Sequence, residues 1–421
     1  MGGLFTYDKT KQSAQVFYSM VLVAASLIVF GFLCDTPANV IYGIIRITQA
    51  QAGLITDSML IGGVGAAFVN AGLVMSISIL LLRFCRLTFN GISVASLFLM
   101  SGFSLFGKDI CNIFPIILGG FLYSRWMKER FGRYIYISLF GTALAPVVTE
   151  VSALSGFGTV NNWFLGAAIG IVIGFILPPM AAFTLRVHQG YNLYNVGFTA
   201  GLIGMILASL LKSFGVDFES RLVWSQGNNL RFSIYLFLLF GCMFLTGFFW
   251  NGKSLSGLRA ITRHTGRSVA DFTLLDGYPV TLMNMGIVGA VSTVYVLLVG
   301  GDLNGPTIGG IFTVCGFGSF GKHLKNILPV MAGVALSSVF MVWELAEPSV
   351  LLAALFSTGL APIAGQFGWG WGLAAGVIHA SVVLNVSFLH GGLNLYNNGF
   401  AAGLVCIVLV PLIEALRRES K

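Results

Sequence analysis

The chain has 421 residues, of which 56% are hydrophobic and only 9% charged; a soluble domain carries about 25% charged residues, so most of this chain cannot face water. A net charge of +8 would suit nucleic acid, but the basic residues stand between apolar runs, which is how membrane topology is encoded. The composition predicts an all-α polytopic membrane protein whose partner is the lipid bilayer, and it excludes a nucleic-acid binder.

The first apolar run, 16–32, follows Lys9 and Lys11 in the manner of a signal peptide. It is long enough to span and has no small-residue cleavage site after it, so it reads as a retained first helix. The start "MGGLFT" fits an N-myristoylation pattern, although a multi-spanning chain gains little from one acyl group. Further spans are expected at about 59–82, 90–106, 110–126, 134–150, 163–186 and 196–213, then at about 231–250, 279–299, 304–320, 324–341, 349–364, 370–388 and 398–415. With 16–32 included, that makes about 14 segments, seven on each side of the middle. Lysine and arginine collect at 125–133 ("RWMKERFGR"), at 253–267 and in the tail at Arg417, Arg418 and Lys421. The positive-inside rule then places the N- and C-termini in the cytoplasm of a bacterial plasma (inner) membrane, with the acidic "WELAEPS" at 343–349 outside.

The chain repeats itself. A shift of 304 − 90 = 214 carries "GFSLFGKDICNIFP" at 102–115 onto "GFGSFGKHLKNILP" at 316–329, Asn70 onto Asn284 and Asp57 onto Asp271. "TALAP" at Thr142 matches "TGLAP" at Thr358, and "HQGYNLYNVGFTAGL" at 188–202 returns as "HGGLNLYNNGFAAGL" at 390–404, where the shift is 390 − 188 = 202. The shorter shift implies an insertion in the first copy, assigned to 151–162. The two halves are drawn as 1–215, with core repeat 57–213, and 216–421, with core repeat 271–417. An odd number of crossings per half inverts the second copy. Inverted repeats are a mark of secondary transporters, whose substrate sits near the midplane on broken helices.

The third and tenth segments are expected to be broken, each entering a helix through Asn-Gly at Asn90 and Asn304, with Ser93 and Thr307 three residues on. Asparagine caps helix N-termini, and exposed amides there favour an anion or a carbonyl oxygen; interfacial caps facing water are the competing reading. The repeated motif offers Asn192, Tyr194, Asn195, Asn394, Tyr396 and Asn397 to a polar solute, or else caps a tight connection ahead of the small-residue pairs Gly197/Gly201 and Gly399/Gly403. His188 and His390 begin the two motifs. Asn70 and Asn284 line a pathway or join two helices. Lys108 and Lys322 are expected to snorkel to the headgroups rather than to hold an anion. Glu150, matched by Gln366, and His379 are the candidates for coupling Na⁺ or H⁺. The glycine stripes at 166, 170, 174 and 368, 372, 376 read as packing.

No cofactor, metal site or catalytic residue is expected. The six cysteines have no metal-ligand spacing, and neither a phosphate loop nor H-E-x-x-H nor G-x-S-x-G occurs. "NGISVASLFLMSGFSLFGK" and "NLYNNGFAAGL" make the whole chain resemble a bacterial family of multi-spanning membrane proteins known only as a domain of unknown function, a resemblance that implies no activity. The seven-plus-seven order resembles the uracil permease and anion exchanger architecture, and "HQGYNLYNVGFTAGL" is similar to the glycine-tyrosine-asparagine stretch of urea channels. The expectation is a permease for a small polar metabolite working by alternating access, with a passive channel for a small neutral solute as the alternative. A membrane enzyme or scaffold comes third, and a homo-oligomer stays open.

Overall fold

The computed structural model describes residues 9–51, 53, 55–154, 159–216, 218 and 221–419. The acylation pattern at 1–6 and residues 155–158 of the expected insertion lie outside them. The first half of the chain runs through α1 (Lys9–Cys34), α2 (Pro37–Gln49), α3 (Ser58–Gly62), α4 (Val64–Phe84), α5 (Gly91–Phe103), α6 (Ile113–Trp126), α7 (Ile135–Gly141), α8 (Ala145–Ser152), α9 (Thr159–Val187) and α10 (Asn195–Ser213). The second half runs through α11 (Asn229–Trp250), α12 (Leu258–Ile261), α13 (Phe272–Leu275), α14 (Tyr278–Leu298), α15 (Gly305–Phe317), α16 (Leu324–Phe340), α17 (Pro348–Ser357), α18 (Ala361–Phe367), α19 (Trp369–Leu384) and α20 (Asn397–Glu419). Among the described residues there are no strands, only two isolated bridges.

Among the described residues nine helical stretches are long and apolar enough to cross a membrane, with α7–α8 and α17–α18 each counted as one, and five shorter apolar helices accompany them. The chain is therefore a multi-pass membrane protein. These nine are fewer than the fourteen segments expected from hydropathy, and the five shorter helices lie at other expected positions. The amphipathic α2 was not among those segments, because at 13 residues with Arg46 in its last turn it has no spanning pattern.

Glycines set the helix spacing. Gly119 of α6 lies so close to α9 that a Cβ there would fall 2.1 Å from the Ile171 carbonyl oxygen. Gly333 of α16 meets the Leu373 carbonyl oxygen of α19 at 2.2 Å in the same way. Close backbone approach of this kind is how helices associate in lipid, where burying apolar side chains against one another gains little.

The centre is the pair α5 and α15. Every residue of α15 and all of α5 except Ile92 are buried, as expected of helices that are apolar all round. They run antiparallel, with Gly91 against Ser319 and Gly102 against Gly309. Each has 13 residues rather than the 17 expected, about 20 Å of helix against a hydrocarbon core of about 30 Å, so neither crosses alone. Instead α5 descends, turns through 104–112, and α6 climbs back until Gly132 lies beside Leu87 and Cys85.

A real interruption occurs where none was expected. The fifth and twelfth segments are each split by a 3-10 turn, Thr142–Leu144 and Thr358–Leu360. Pro146 and Pro362 stand in the first turn of the helices that resume, and proline has no N–H to return to the carbonyl four residues back. The broken pair is therefore "TALAP" and "TGLAP", in addition to the short helices that begin at Asn-Gly.

Candidate functional site

Asn90 caps α5, its side chain accepting from the Ser93 amide at 3.4 Å while the Ser93 hydroxyl accepts from the Asn90 amide at 3.2 Å. Asn304 and Thr307 make the same capping box on α15, at 3.1 and 2.9 Å. The structure does not bring Asn90 and Asn304 together: they sit at opposite ends of the antiparallel pair, about 20 Å of helix apart. Nor are the first amides left open. The Gly91 N–H donates to the Asp271 carboxylate at 3.0 and 3.2 Å, and the Gly305 N–H donates to Asp57. Each helix start thus binds an anion that the other half of the chain supplies, which suits the positive end of the macrodipole.

At the opposite ends of these helices stand lysines. Lys108 and Lys322 are both completely buried, which overturns the expectation that they snorkel. The turns after α5 and α15 fold back inside the bundle, so their stems have no path to a headgroup. Asn70 fixes the first turn by donating to the Ser104 and Lys108 carbonyls, both at 2.9 Å. Asn284 fixes the second by donating to Gly318 and Lys322 at 2.7 and 2.8 Å. Both asparagines therefore join helices.

The repeated motif is exchanged between halves. Asn192 donates to the Gly399 carbonyl at 3.0 Å, and Asn394 to the Gly197 carbonyl at 3.3 Å. Leu193 N–H donates to Gly359 O in the broken twelfth segment, and Leu395 N–H to Ala143 O in the broken fifth, each at 3.0 Å. Breaking the helix exposes those carbonyls, and the motif of the other half takes them. Asn195 and Asn397 are held from behind by His188 and His390, at 2.8 and 3.0 Å, and donate to Ala181 and Val383 carbonyls at 2.9 and 3.1 Å. Their amides connect helices as well as facing the cavities described next.

Tyr194 and Tyr396 thereby meet at the centre, ring centroids 5.1 Å apart. Phe317 lies 5.1 Å from Tyr194, Phe103 lies 4.6 Å from Tyr396, and Phe356 lies 5.7 Å from Phe103. On one side of these five rings is a cavity of about 320 Å³ reached past Ser268 and Val269. On the other is a cavity of about 240 Å³ reached past Arg221 and Leu222. In the chain, Arg221 and Leu222 precede the 22-residue α11 and Ser268 and Val269 follow it. The walls correspond: Phe140, Ala182, Leu193, Asn195 and Phe320 line the first, and Phe356, Leu384, Leu395, Asn397 and Phe106 line the second. A larger cavity, about 720 Å³ beside α1 and the turn at 86–89, has none of these polar groups in its lining.

Lys322 Nζ donates to the Tyr194 hydroxyl, and to Thr358 Oγ1 at 2.7 Å in the broken segment. Among the described residues Lys108 Nζ has only the Met100 sulfur, at 3.5 Å, and it stands 5.1 Å from the Phe103 centroid. The sequence favours snorkelling over anion binding for both lysines, and it shows Thr142 and Thr358 only as markers of the repeat. Burial of "FGK" behind a 13-residue helix was the missing signal. Of the coupling candidates, Glu150 is buried on α8. His379 is fully buried on α19, with Nε2 3.0 Å from Asn398 Oδ1. The described residues hold no cluster of metal-ligating side chains.

The profile of a family described as "Protein of unknown function (DUF1576)" matches residues 36–213 and 250–415, one stretch in each half. No curated protein and no solved structure matches the chain.

Proposed function

We propose that this chain, which belongs to the DUF1576 family, is a secondary transporter for a small polar metabolite, working by alternating access about the ring cluster at its centre. The observation that carries the reading is the pair of cavities with corresponding walls, separated by Tyr194, Tyr396, Phe103, Phe317 and Phe356. Opening one cavity while closing the other exchanges the roles of two related half-structures. Such an exchange costs little if the halves are an inverted repeat.

Inversion is supported by the antiparallel α5–α15 pair and by bonds that recur at matching positions of the two halves, as at Asn70 and Asn284 or Asn192 and Asn394. On this reading fourteen segments, seven per half, build the bundle in the order of the uracil permease kind, with the re-entrant α5 and α15 at the middle. The basic loops support a reading with both termini in the cytoplasm of a bacterial plasma membrane and with the 320 Å³ cavity on that side. A passive channel of the urea-channel kind calls for a continuous polar lining, and the rings interrupt it. Glu150 and His379 remain the coupling candidates for Na⁺ or H⁺, and a homo-oligomer is compatible with the bundle.

The test needs no substrate. Ala182 and Leu384 line the two cavities at matching positions. Single cysteines there, with the exposed Cys111 and Cys242 changed to serine, are labelled with an impermeant maleimide in vesicles of each orientation. Alternating access predicts that each is reached from its own face only, and that in the double-cysteine variant a bulky adduct at one, which props its cavity open, slows labelling of the other. Labelling from one shared face, or rates that ignore each other, would refute it.

A further inference from the structure

The two lysines lie in corresponding places but in different conditions. Lys322 is latched to Tyr194 and Thr358. The groups that would latch Lys108 are Tyr396 and Thr142, and neither does so: the Tyr396 hydroxyl is buried with no hydrogen-bond partner among the described residues, and the Thr142 hydroxyl donates to the Leu139 carbonyl at 2.6 Å and lies 3.3 Å from the Met100 sulfur. Lys108 itself has three hydrogens to donate and one thioether to receive them. Neither lysine forms an ion pair among the described residues. An ammonium taken out of water without a counter-charge is costly, and the carbonyl end of α5 offers only about half a charge. Both groups adjoin the Phe103 ring: Lys108 Nζ stands 5.1 Å from its centre, and the centre of the Tyr396 ring lies 4.6 Å from it.

We propose that Lys108 and the Tyr396 hydroxyl bind the carboxylate of a small organic acid with an apolar or aromatic body, and that Lys322 with Tyr194 and Thr358 is the closed counterpart of that site in the other half. This names the substrate class of the proposed transporter and so rests on that reading. A carboxylate supplies the missing negative charge and accepts from both the ammonium and the phenol. The cavity that Tyr396 faces is walled mainly by phenylalanine and aliphatic side chains, which suits an apolar body. Lysine provides a point charge without the planar fork with which arginine grips phosphate, and no arginine lines that cavity.

The experiment is calorimetric titration of the purified full chain in detergent with benzoate and with benzamide, its neutral match in shape. Saturable benzoate binding is expected, at least tenfold tighter than any benzamide binding. Lys108→Gln should weaken benzoate at least tenfold. Tyr396→Phe removes a hydroxyl that bonds to nothing in the fold, so that variant keeps its thermal midpoint and should still lose severalfold in affinity. Absence of saturable benzoate binding, equal binding of benzamide, or unchanged affinity in a folded Tyr396→Phe protein overturns the proposal. None of these results bears on the cysteine-accessibility test, so the substrate class can fail while alternating access stands, and the reverse.

Discussion

The carboxylate of Asp271 lies 3.0 Å from the amide nitrogen of Gly91, so a residue of the second half caps a helix of the first. Asp57 does the same for Gly305. Each carboxylate also closes its own short turn, Asp271 by accepting from the Thr273 amide at 3.0 Å and Asp57 from the Met59 amide at 2.9 Å. Removing either therefore unties two elements. Asp271→Ala is expected to cost about 2–3 kcal/mol, as for a charge-assisted bond whose buried donors are left unmet. Asp271→Asn, which keeps an acceptor, should cost roughly half as much. Thermal or denaturant unfolding in detergent measures both, and an alanine variant as stable as wild type would show that the cap is ornamental.

These caps show how far the sequence could be read. The repeat offset paired Asp57 with Asp271 and Asn90 with Asn304, but nothing in a linear pattern says that a residue of one pair caps a helix of the other. The spans were legible because lipid forces apolar runs of a set length. Helix lengths within the buried pair were not, since α5 and α15 are enclosed by protein and need not match the bilayer. Lys108 and Lys322 were misplaced for the same reason: beside a full span a lysine reaches water, whereas behind a helix of about 20 Å it does not. Pro146 and Pro362 did carry a break signal, masked by apolar neighbours that keep the hydropathy continuous.

Where α10 and α20 cross, space is fixed by glycine. A Cβ at Gly201 would fall 2.3 Å from Phe400 Cγ, and one at Gly403 would fall 2.2 Å from Phe198 Cγ. Both rings are buried and lie 6.3 Å apart, so neither can swing clear. Gly201→Ala and Gly403→Ala should each destabilise by about 1–3 kcal/mol, the usual cost of overpacking. The double variant should cost less than the sum, because one displacement of the crossing relieves both clashes. Strict additivity in the unfolding data would count against a shared crossing.

Asp276 gives a pH dependence outside the spans. Burial pushes its carboxyl up from the usual range, and the neighbouring His264, at 2.8 Å, pulls it back only in part. A carboxyl raised on folding lends stability that is present below its unfolded value, about 3.9, and is lost as pH rises through the folded value. At neutral pH the wild type carries that loss. Asp276→Asn keeps an acceptor for His264 and has no charge to bury, so its thermal midpoint relative to wild type should be higher at pH 7 than at pH 4. The opposite trend would mean that the ion pair outweighs burial.

The broken segments tie stability to the proposed movement. At Ala143 the carbonyl is taken by Leu395 N–H, and Pro146 helps to keep the helix from closing over it. With Pro146→Ala an unbroken helix becomes accessible, in which Ala143 would bond along its own axis and release the Leu395 loop. Local helix stability should rise while the contact between halves loosens. Hydrogen exchange at the Leu395 amide should then accelerate at least tenfold, with slower exchange in 142–148. Labelling of Leu384→Cys should change with it, because Leu384 and Leu395 line the same cavity. Pro362→Ala should act on Leu193 and Ala182→Cys in the same manner, since Gly359 O holds Leu193 N–H at 3.0 Å. If exchange at Leu395 and Leu193 stayed at wild-type rates in both variants, the prolines would be passengers and the joint between the halves would have to be sought elsewhere.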